Sequence, residues 1–403
     1  MKLKKIAALL AVAGLSTSAF ATNGYFSHGY GIKAKGMAGV GIALPQDAMA
    51  AATNPAGITA VGDRLDVGVD YFMPRRSTEI AFGFTPPDGN YDGNGAKNFL
   101  IPEFGYNRML GKDMAVGIAV YGNGGMNTKY KGGVPIINPT ADVGVNLEQL
   151  FVAPTFAMNV NKDHSLGVSL VYGYQRFAAD GLQAFGVTTG GANLGYDTSD
   201  GWGLRLGWTG KITDTITLGA TYATKMKMSK FDKYKGLFAE QGDFDIPENY
   251  GIGIAVKATP QLTVAFDVQQ INYSGVKAIA NTGNVSPLTL GQDNGPGFGW
   301  RDMTVYKLGA NYAFSKHLTL RAGYSTGRQP IPTNETFFNT LAPGVIESHL
   351  TLGGTWTLAN KDELTVGYMH GFKNTVNGTG TTTGMNIKMY QNSLGIAYGM
   401  KFK

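Results

Sequence analysis

The chain reads as all-β: a transmembrane antiparallel β-barrel of about fourteen strands, with its lumen plugged by an N-terminal segment, the hatch. Three observations predict this. Apolar residues alternate with small or polar ones at period two, in run after run, from Leu65 to Phe402. The connections between these runs are short and long in turn. Beyond the N-terminus, no stretch reaches the eighteen or so apolar residues of a helical membrane span.

Residues 1–21 read as a secretory signal. Lys2, Lys4 and Lys5 form its basic end, Ile6 to Leu15 its apolar run and Ala19-Phe20-Ala21 its small-x-small cleavage site. The run is about half of what a spanning helix needs, so Thr22 is the expected mature N-terminus. Without those three lysines, 31 basic residues face 28 acidic ones, a net charge of +3 that supports no nucleic-acid footprint. The absence of cysteine excludes a disulfide framework, zinc–thiolate sites and thiol catalysis. With 58 Gly, 21 Phe, 20 Tyr and 15% charged residues, the composition suits an outer-membrane barrel. A large secreted all-β protein shares part of that profile.

Residues 22–63 come next, ahead of a barrel assigned to 64–403. The stretch from Thr22 to Ile58 shows no strand alternation, yet it carries Tyr25, Phe26, Tyr30, Ile32, Met37, Val40, Ile42, Leu44 and Met49 among small residues. Disordered segments are poor in apolar groups and rich in charge. This one is the reverse, and its small residues let it fold back and approach a wall closely.

In the barrel, Leu65, Val67, Val69 and Tyr71 share one face, opposite Asp66, Gly68, Asp70 and Phe72. The same alternation recurs around Met114, Leu150, Trp202 and Leu394. Short connections are expected near residues 111, 161–164, 213, 259, 315 and 360–362, and long ones at 74–98, 122–146, 180–200, 232–246, 274–299, 327–346 and 371–384. Short turns on one side and large loops on the other are the asymmetry of outer-membrane barrels. The inward faces carry Gly68, Gly105, Gly117, Gly167, Gly203, Gly207, Gly219, Gly253, Gly309, Gly323, Gly353, Gly367 and Gly395. Glycine weakens a strand and is kept where another backbone or a ligand comes close. A barrel of this size is too wide for its own side chains to fill, which leaves the hatch as the filling.

The Thr22-Asn23-Gly24-Tyr25-Phe26 start, the run Gly36-Met37-Ala38-Gly39-Val40-Gly41, Asp47-Ala48, and Asn54-Pro55-Ala56-Gly57 before the first strand closely resemble the outer-membrane long-chain fatty acid transporter (FadL/OmpP1/TodX) family. The resemblance covers the whole mature chain, and the Asn-Pro-Ala triplet is its most specific local mark. It implies a monomeric fourteen-stranded barrel in the lipid of a Gram-negative outer membrane, with a hydrophobic cargo, either a long-chain fatty acid or an aromatic hydrocarbon. It also implies a hatch gate at Asn54, Pro55 and Ala56, and a strand-three kink at Gly122, Asn123, Gly124 and Gly125 that opens the wall. An external groove between the loops after strands five and seven is implied at Leu182, Phe185, Val187, Phe231, Leu237 and Phe238. One departure is the C-terminus, where Phe402 is followed by Lys403 instead of ending the chain.

Three inward cations, Arg205, Lys307 and Arg321, are candidates for meeting a carboxylate headgroup. The plainer reading pairs them with Asp66, Asp70, Glu103 or Asp267, since polar residues facing a lumen are ordinary. Other signals are weaker. Gly323-Tyr324-Ser325-Thr326-Gly327 matches a nucleophile elbow, but the Arg328-Gln329-Pro330-Ile331-Pro332 that follows starts a helix poorly. Asp88-Gly89-Asn90-Tyr91-Asp92-Gly93 copies half a calcium loop with Phe99 where its final Glu belongs, which reads as a flexible external loop. His28, His164, His317, His349 and His370 show no metal-ligand spacing, and no cofactor is expected. A transporter, a surface adhesin or receptor, and a membrane lipid hydrolase remain as function classes. The hatch favours the first, because neither adhesion nor hydrolysis needs a plug.

Overall fold

The computed structural model describes residues 23–83, 88–185, 192–286 and 289–402; the signal at 1–21, Val187 and Lys403 lie outside them. Fourteen long strands form the wall: β1 (Arg64–Ile80), β2 (Phe99–Leu110), β3 (Met114–Tyr130), β4 (Val143–Asn159), β5 (His164–Asp180), β6 (Asp197–Lys211), β7 (Ile216–Ala223), β8 (Asn249–Lys257), β9 (Leu262–Ile271), β10 (Met303–Ala313), β11 (Leu318–Thr326), β12 (Ser348–Thr357), β13 (Glu363–Val376) and β14 (Met385–Lys401). Each pairs antiparallel with its neighbours, and β1 closes the ring on β14 from Arg64 opposite Lys401 to Ile80 opposite Met385. Two short strands, Gly89–Asp92 on β1 and Lys227–Met228 on β6, bring the sheet to sixteen.

Burial follows the pleat. Tyr71, Leu100, Phe156, Leu166, Leu170, Trp202, Leu204, Leu206, Leu308, Leu352 and Leu394 stand exposed on the outer face, while Asp66, Asp70, Ala119, Ala157 and Ser169 are buried inside. A water-soluble barrel would not carry such a belt of leucines and aromatics, whereas a lipid-facing band requires it. β1, β3 and β13 run on to Ile80, Tyr130 and Val376, where loops were expected from residues 74, 122 and 371. Pairing continues there (Pro74 opposite Gln391, Arg76 opposite Met389). The apolar period fades while the ladder persists, because those stretches stand clear of the lipid band. The half calcium loop is likewise structured: Gly89–Asp92 is a strand, and Asp88 accepts from Phe82 N at 2.7 Å.

Residues 23–63 fill the ring as short helices α1 (Ile32–Lys35) and α2 (Ala50–Thr53), a 3₁₀ turn (Pro55–Thr59) and connecting backbone, with Tyr25, Phe26, Met37, Val40 and Ile58 fully buried. All of the inward glycines except Gly68 and Gly203 meet this segment. Gly167 lies under Pro55 and Ala56, Gly207 beside Asn54, and Gly219 against the Ile42 carbonyl. A Cβ at Gly323 would stand 2.5 Å from the backbone of Met37 and Ala38. Gly323→Val is therefore expected to destabilise the barrel. Overpacking of about 1–3 kcal/mol outweighs a gain in strand propensity of at most about 1 kcal/mol. A lower urea midpoint for the detergent-solubilised protein checks it.

Polar contacts fix the segment further. Glu103 accepts from Gly31 N (3.2 Å) and Ile32 N (2.8 Å), Asp267 from Gly41 N (2.8 Å) and Ile42 N (3.0 Å), and Asp66 from Ala48 N (2.9 Å). Lys35 pairs with Asp70 at 2.9 Å. Lys33 reaches Glu363 at 2.5 Å, and Arg64 (2.8 Å) and Lys401 (2.7 Å) converge on the same carboxylate. The pairing of Arg205 and Arg321 with Asp66, Asp70, Glu103 or Asp267 is thus corrected, while Lys307 faces Asp267 across the β9–β10 ladder and is attracted by it without a direct ion pair. Those carboxylates take N–H groups and lysines of the N-terminal segment, or Arg64, and none makes an ion pair with the three cations.

Candidate functional site: a wall gap and a chain of cavities

The ladder between β2 and β3 runs from Leu110 opposite Met114 to Phe104 opposite Val120 and stops there. On its other edge β2 continues to pair with β1 as far as Phe99. Beyond Val120, β3 slips register against β4 between Gly122 and Gly124. That is a bulge, which bends its strand and ends pairing locally. The N-terminal segment takes the vacated edge from inside: Ser27 N donates to Asn123 O (2.8 Å) and Gly125 N to Tyr25 O (3.0 Å). Higher up, the edge is taken again by Gly93 and Gly95, each bonded to Lys129 at 2.9 Å. Residues 99–103 and 121–127 thus frame an unladdered stretch of wall, and Gly122, Asn123, Gly124 and Gly125 form its bend.

The Asn-Pro-Ala triplet has a different place. Asn54 Oδ1 caps the 3₁₀ turn through Ala56 N (3.2 Å), and its Nδ2 donates to Ile42 O (2.7 Å) and to Trp208 O of β6 (2.9 Å). Pro55 opens the turn, where its missing N–H costs nothing. Ala56 is small enough to lie on Gly167. The triplet ties the segment to β5 and β6, and the residues at the bend are Tyr25, Phe26 and Ser27.

Four cavities lie among the long loops and the lumen. A cleft of about 450 Å³ among the long loops is lined by Leu182, Phe185, Leu237 and Phe238, together with Val145, Phe177, Phe298, Phe338 and Leu341. Phe231 packs behind it, 6.0 Å from the rings of Phe177 and Phe238. Phe298, Phe338 and Leu341 went unforeseen, because the groove was drawn only from the loops after β5 and β7. A second, narrow cavity lies among Phe72, Arg76, Met126, Asn127, Trp300, Ala342 and Met389. A third, about 260 Å³, shares Phe72 and adds Ser27, His28, Lys35, Asp70 and Met369. A fourth, about 400 Å³, shares Ser27 and brings together Tyr30, Arg205, Asp267 and Lys307. Tyr25, Tyr273 and Trp300, with ring centres 5.1–6.0 Å apart, pack together above the bend.

Two of the three candidate cations therefore meet. Arg205 makes long contacts, at 3.4–3.5 Å, to Thr53 O, Thr221 and Asn249, and also meets the Tyr121 hydroxyl. Lys307 donates to His28 O (3.2 Å) and Gln269 (3.0 Å). Arg321 stands apart, holding Gln46 and Thr355 at 2.7 Å. The elbow-like Ser325 lies within β11, with its hydroxyl 3.2 Å from both His28 Nε2 and His349 Nδ1. These two imidazoles, 321 residues apart in the chain, have ring centres 4.7 Å from each other. Ser325 sits in a straight strand, fully buried, where no elbow presents it.

Residues 10–403 match the model of a family described as outer membrane protein transport protein (OMPP1/FadL/TodX). No curated protein sequence matches. Among solved structures, the Pseudomonas putida toluene transporter TodX superposes with a TM-score of 0.70 at 18% identity, over 94% of this chain and 100% of its own. A Pseudomonas aeruginosa FadL homologue gives 0.73 at 14%, over 94% and 100%. The Ralstonia pickettii toluene transporter TbuX gives 0.66 at 18%, over 93% and 99%.

Proposed function

Because this chain belongs to the OMPP1/FadL/TodX family of outer-membrane transport proteins, we propose that it takes up long-chain fatty acids and releases them sideways into the outer membrane through the gap beside β3. The observation that carries this reading is the broken β2–β3 ladder, with an apolar cavity behind it at Met126 and Trp300. In this scheme cargo is captured at Leu182, Phe185, Leu237 and Phe238, with Val187 and Phe231 in the same loops. It moves inward past the N-terminal segment, a hatch anchored through Asn54, Pro55 and Ala56, and leaves at Gly122, Asn123, Gly124 and Gly125. Arg205 and Lys307 are proposed to face the polar end of the cargo, and Arg321 to brace Gln46. One copy of the chain suffices as the conduit, with no cofactor and no catalysis.

Energetics favour the lateral route. At about 0.8 kcal/mol per methylene, placing a sixteen-carbon chain in water costs on the order of 12 kcal/mol. Release into lipid avoids that cost, and an axial aqueous pore does not. Uptake of aromatic hydrocarbons is the second reading, favoured by the five phenylalanines of the outer cleft, Phe177, Phe185, Phe238, Phe298 and Phe338. Labelled palmitate and toluene, offered to the same cells with and without the protein, decide between them. Phe238→Ala is expected to weaken palmitate binding by about tenfold. Losing most of a buried ring's burial is worth about 1.5–3 kcal/mol, and tenfold is about 1.4 kcal/mol. Equal binding by wild type and variant, measured by fluorescence titration, would remove the cleft from the route.

A further inference from the structure

Arg76 stands on the inner face of β1, 3% exposed. Among the described residues its guanidinium makes no direct ion pair; Asp92, the carboxylate that acts on it, is exposed on the short strand beside β1. It donates to Asn127 Oδ1 and Gly93 O at 3.4 Å and to Ala96 O, all uncharged. Its Nε is buried without any partner. Phe99 lies beneath it, 6.0 Å from ring centre to guanidinium. The contrast with Arg64 on the same strand is direct, since that side chain meets Asp66 at 2.7 Å and Glu363 at 2.8 Å. A buried charge whose neighbouring carboxylate is solvent-screened and not in contact is costly, and has room for a direct partner.

The cavity beside Arg76 gives that occupant its shape. Phe72, Met126, Trp300 and Met389 make it apolar apart from Arg76 and Asn127. We infer that Arg76 seats an anionic end-group on an apolar cargo: a carboxylate on the guanidinium, with its alkyl chain along Met126, Trp300 and Met389. The seat is walled on one side by Met126 and Asn127, the β3 residues that follow the bend. It is separate from the Arg205 and Lys307 cavity, with which it shares no lining residue. This inference rests on the transport reading and sharpens it, because a plain hydrocarbon leaves Arg76 without a direct partner.

The test uses the full-length barrel in neutral detergent, its folding checked by heat-modifiable gel mobility, with hexadecanoate and hexadecan-1-ol titrated by tryptophan fluorescence. Wild type is expected to prefer the carboxylate by about tenfold or more, as a charge-assisted fork-to-carboxylate contact implies. Arg76→Met, which matches the side chain's length without its charge, is expected to abolish that preference and leave alcohol binding unchanged. Arg76→Gln serves the same purpose should the first variant not fold. Preference retained in either variant overturns the seat at Arg76 and leaves the transport reading standing. So does a wild type that binds both chains equally. Tighter binding of phosphatidylglycerol than of hexadecanoate overturns the cargo assignment in favour of a membrane lipid. Failure of wild type to bind either chain overturns the transport reading itself.

Discussion

Gly124→Val is expected to cut fatty acid uptake by about tenfold or more, a barrier rise of at least about 1.4 kcal/mol, with the barrel at the surface in normal amount. Gly124 sits where β3 turns from β2 toward the N-terminal segment, and Phe26 bridges to it. A Cβ there collides with the Tyr25 carbonyl and stands 3.1 Å from Phe26 Cα. Valine therefore expels Tyr25–Ser27 from the vacated edge, and its strand preference favours repairing the ladder that the bulge interrupts. Cell uptake of labelled palmitate, normalised to surface protein, is the measurement. Undiminished uptake at normal surface level would sink lateral release. The Asn54 triplet is too distant to substitute as the control point, since it rests on β5 and β6.

Glu363→Leu is the second large effect. One carboxylate holds Lys33 of the N-terminal segment, Arg64 of β1 and Lys401 of β14 within 2.5–2.8 Å. Removing it leaves a buried lysine with Asp47 as its remaining carboxylate, so the loss approaches but does not reach about 3–5 kcal/mol, the cost of a buried pair broken on one side. Arg64 keeps Asp66 and suffers less. The expected result is a lower unfolding midpoint together with increased leakage of small hydrophilic solutes, as the segment loosens at this end. The double variant Lys33→Met with Glu363→Leu is expected to recover most of both, because an apolar pair of similar volume often replaces a buried ion pair at little cost. Leakage in the single variant equal to wild type would show that Glu363 does not hold the plug.

The barrel was legible because lipid imposes a period of two on every strand that faces it, as Leu204, Leu206 and Trp208 display. The inward glycines were legible for a related reason: a close backbone leaves no other residue type at Gly167 or Gly323. Strand ends were not. Arg75 and Arg76 continue the β1 ladder above the lipid, where solvent and loops accept any side chain on either face. The bend at Gly122 to Gly125 was readable from its glycines, but the occupant of the vacated edge was not, because Tyr25 and Gly125 are joined by backbone atoms alone. Nor was the His28–Ser325–His349 contact, whose members belong to the N-terminal segment and two separate strands. Arg76 looked like one more residue of an external loop. Its lack of a direct ion pair is a matter of which carboxylates come into contact, and spacing along the chain carries no record of that.

The seam where β1 meets β14 joins Arg64 to Lys401, the two ends of the wall. The N-terminal segment runs directly into β1, and Lys33, Arg64, Glu363 and Lys401 gather on either side of that seam. A plug so closely sheathed by glycine-backed strands has no route into a finished ring. The Arg64 arm of the ion cluster is complete only where β1 lies beside β14. Arg64 thus couples the seam to the seating of the plug, since it belongs to β1 and shares its carboxylate with Lys33. A chain that fails to lodge residues 23–63 lacks the contacts that draw its final strand home.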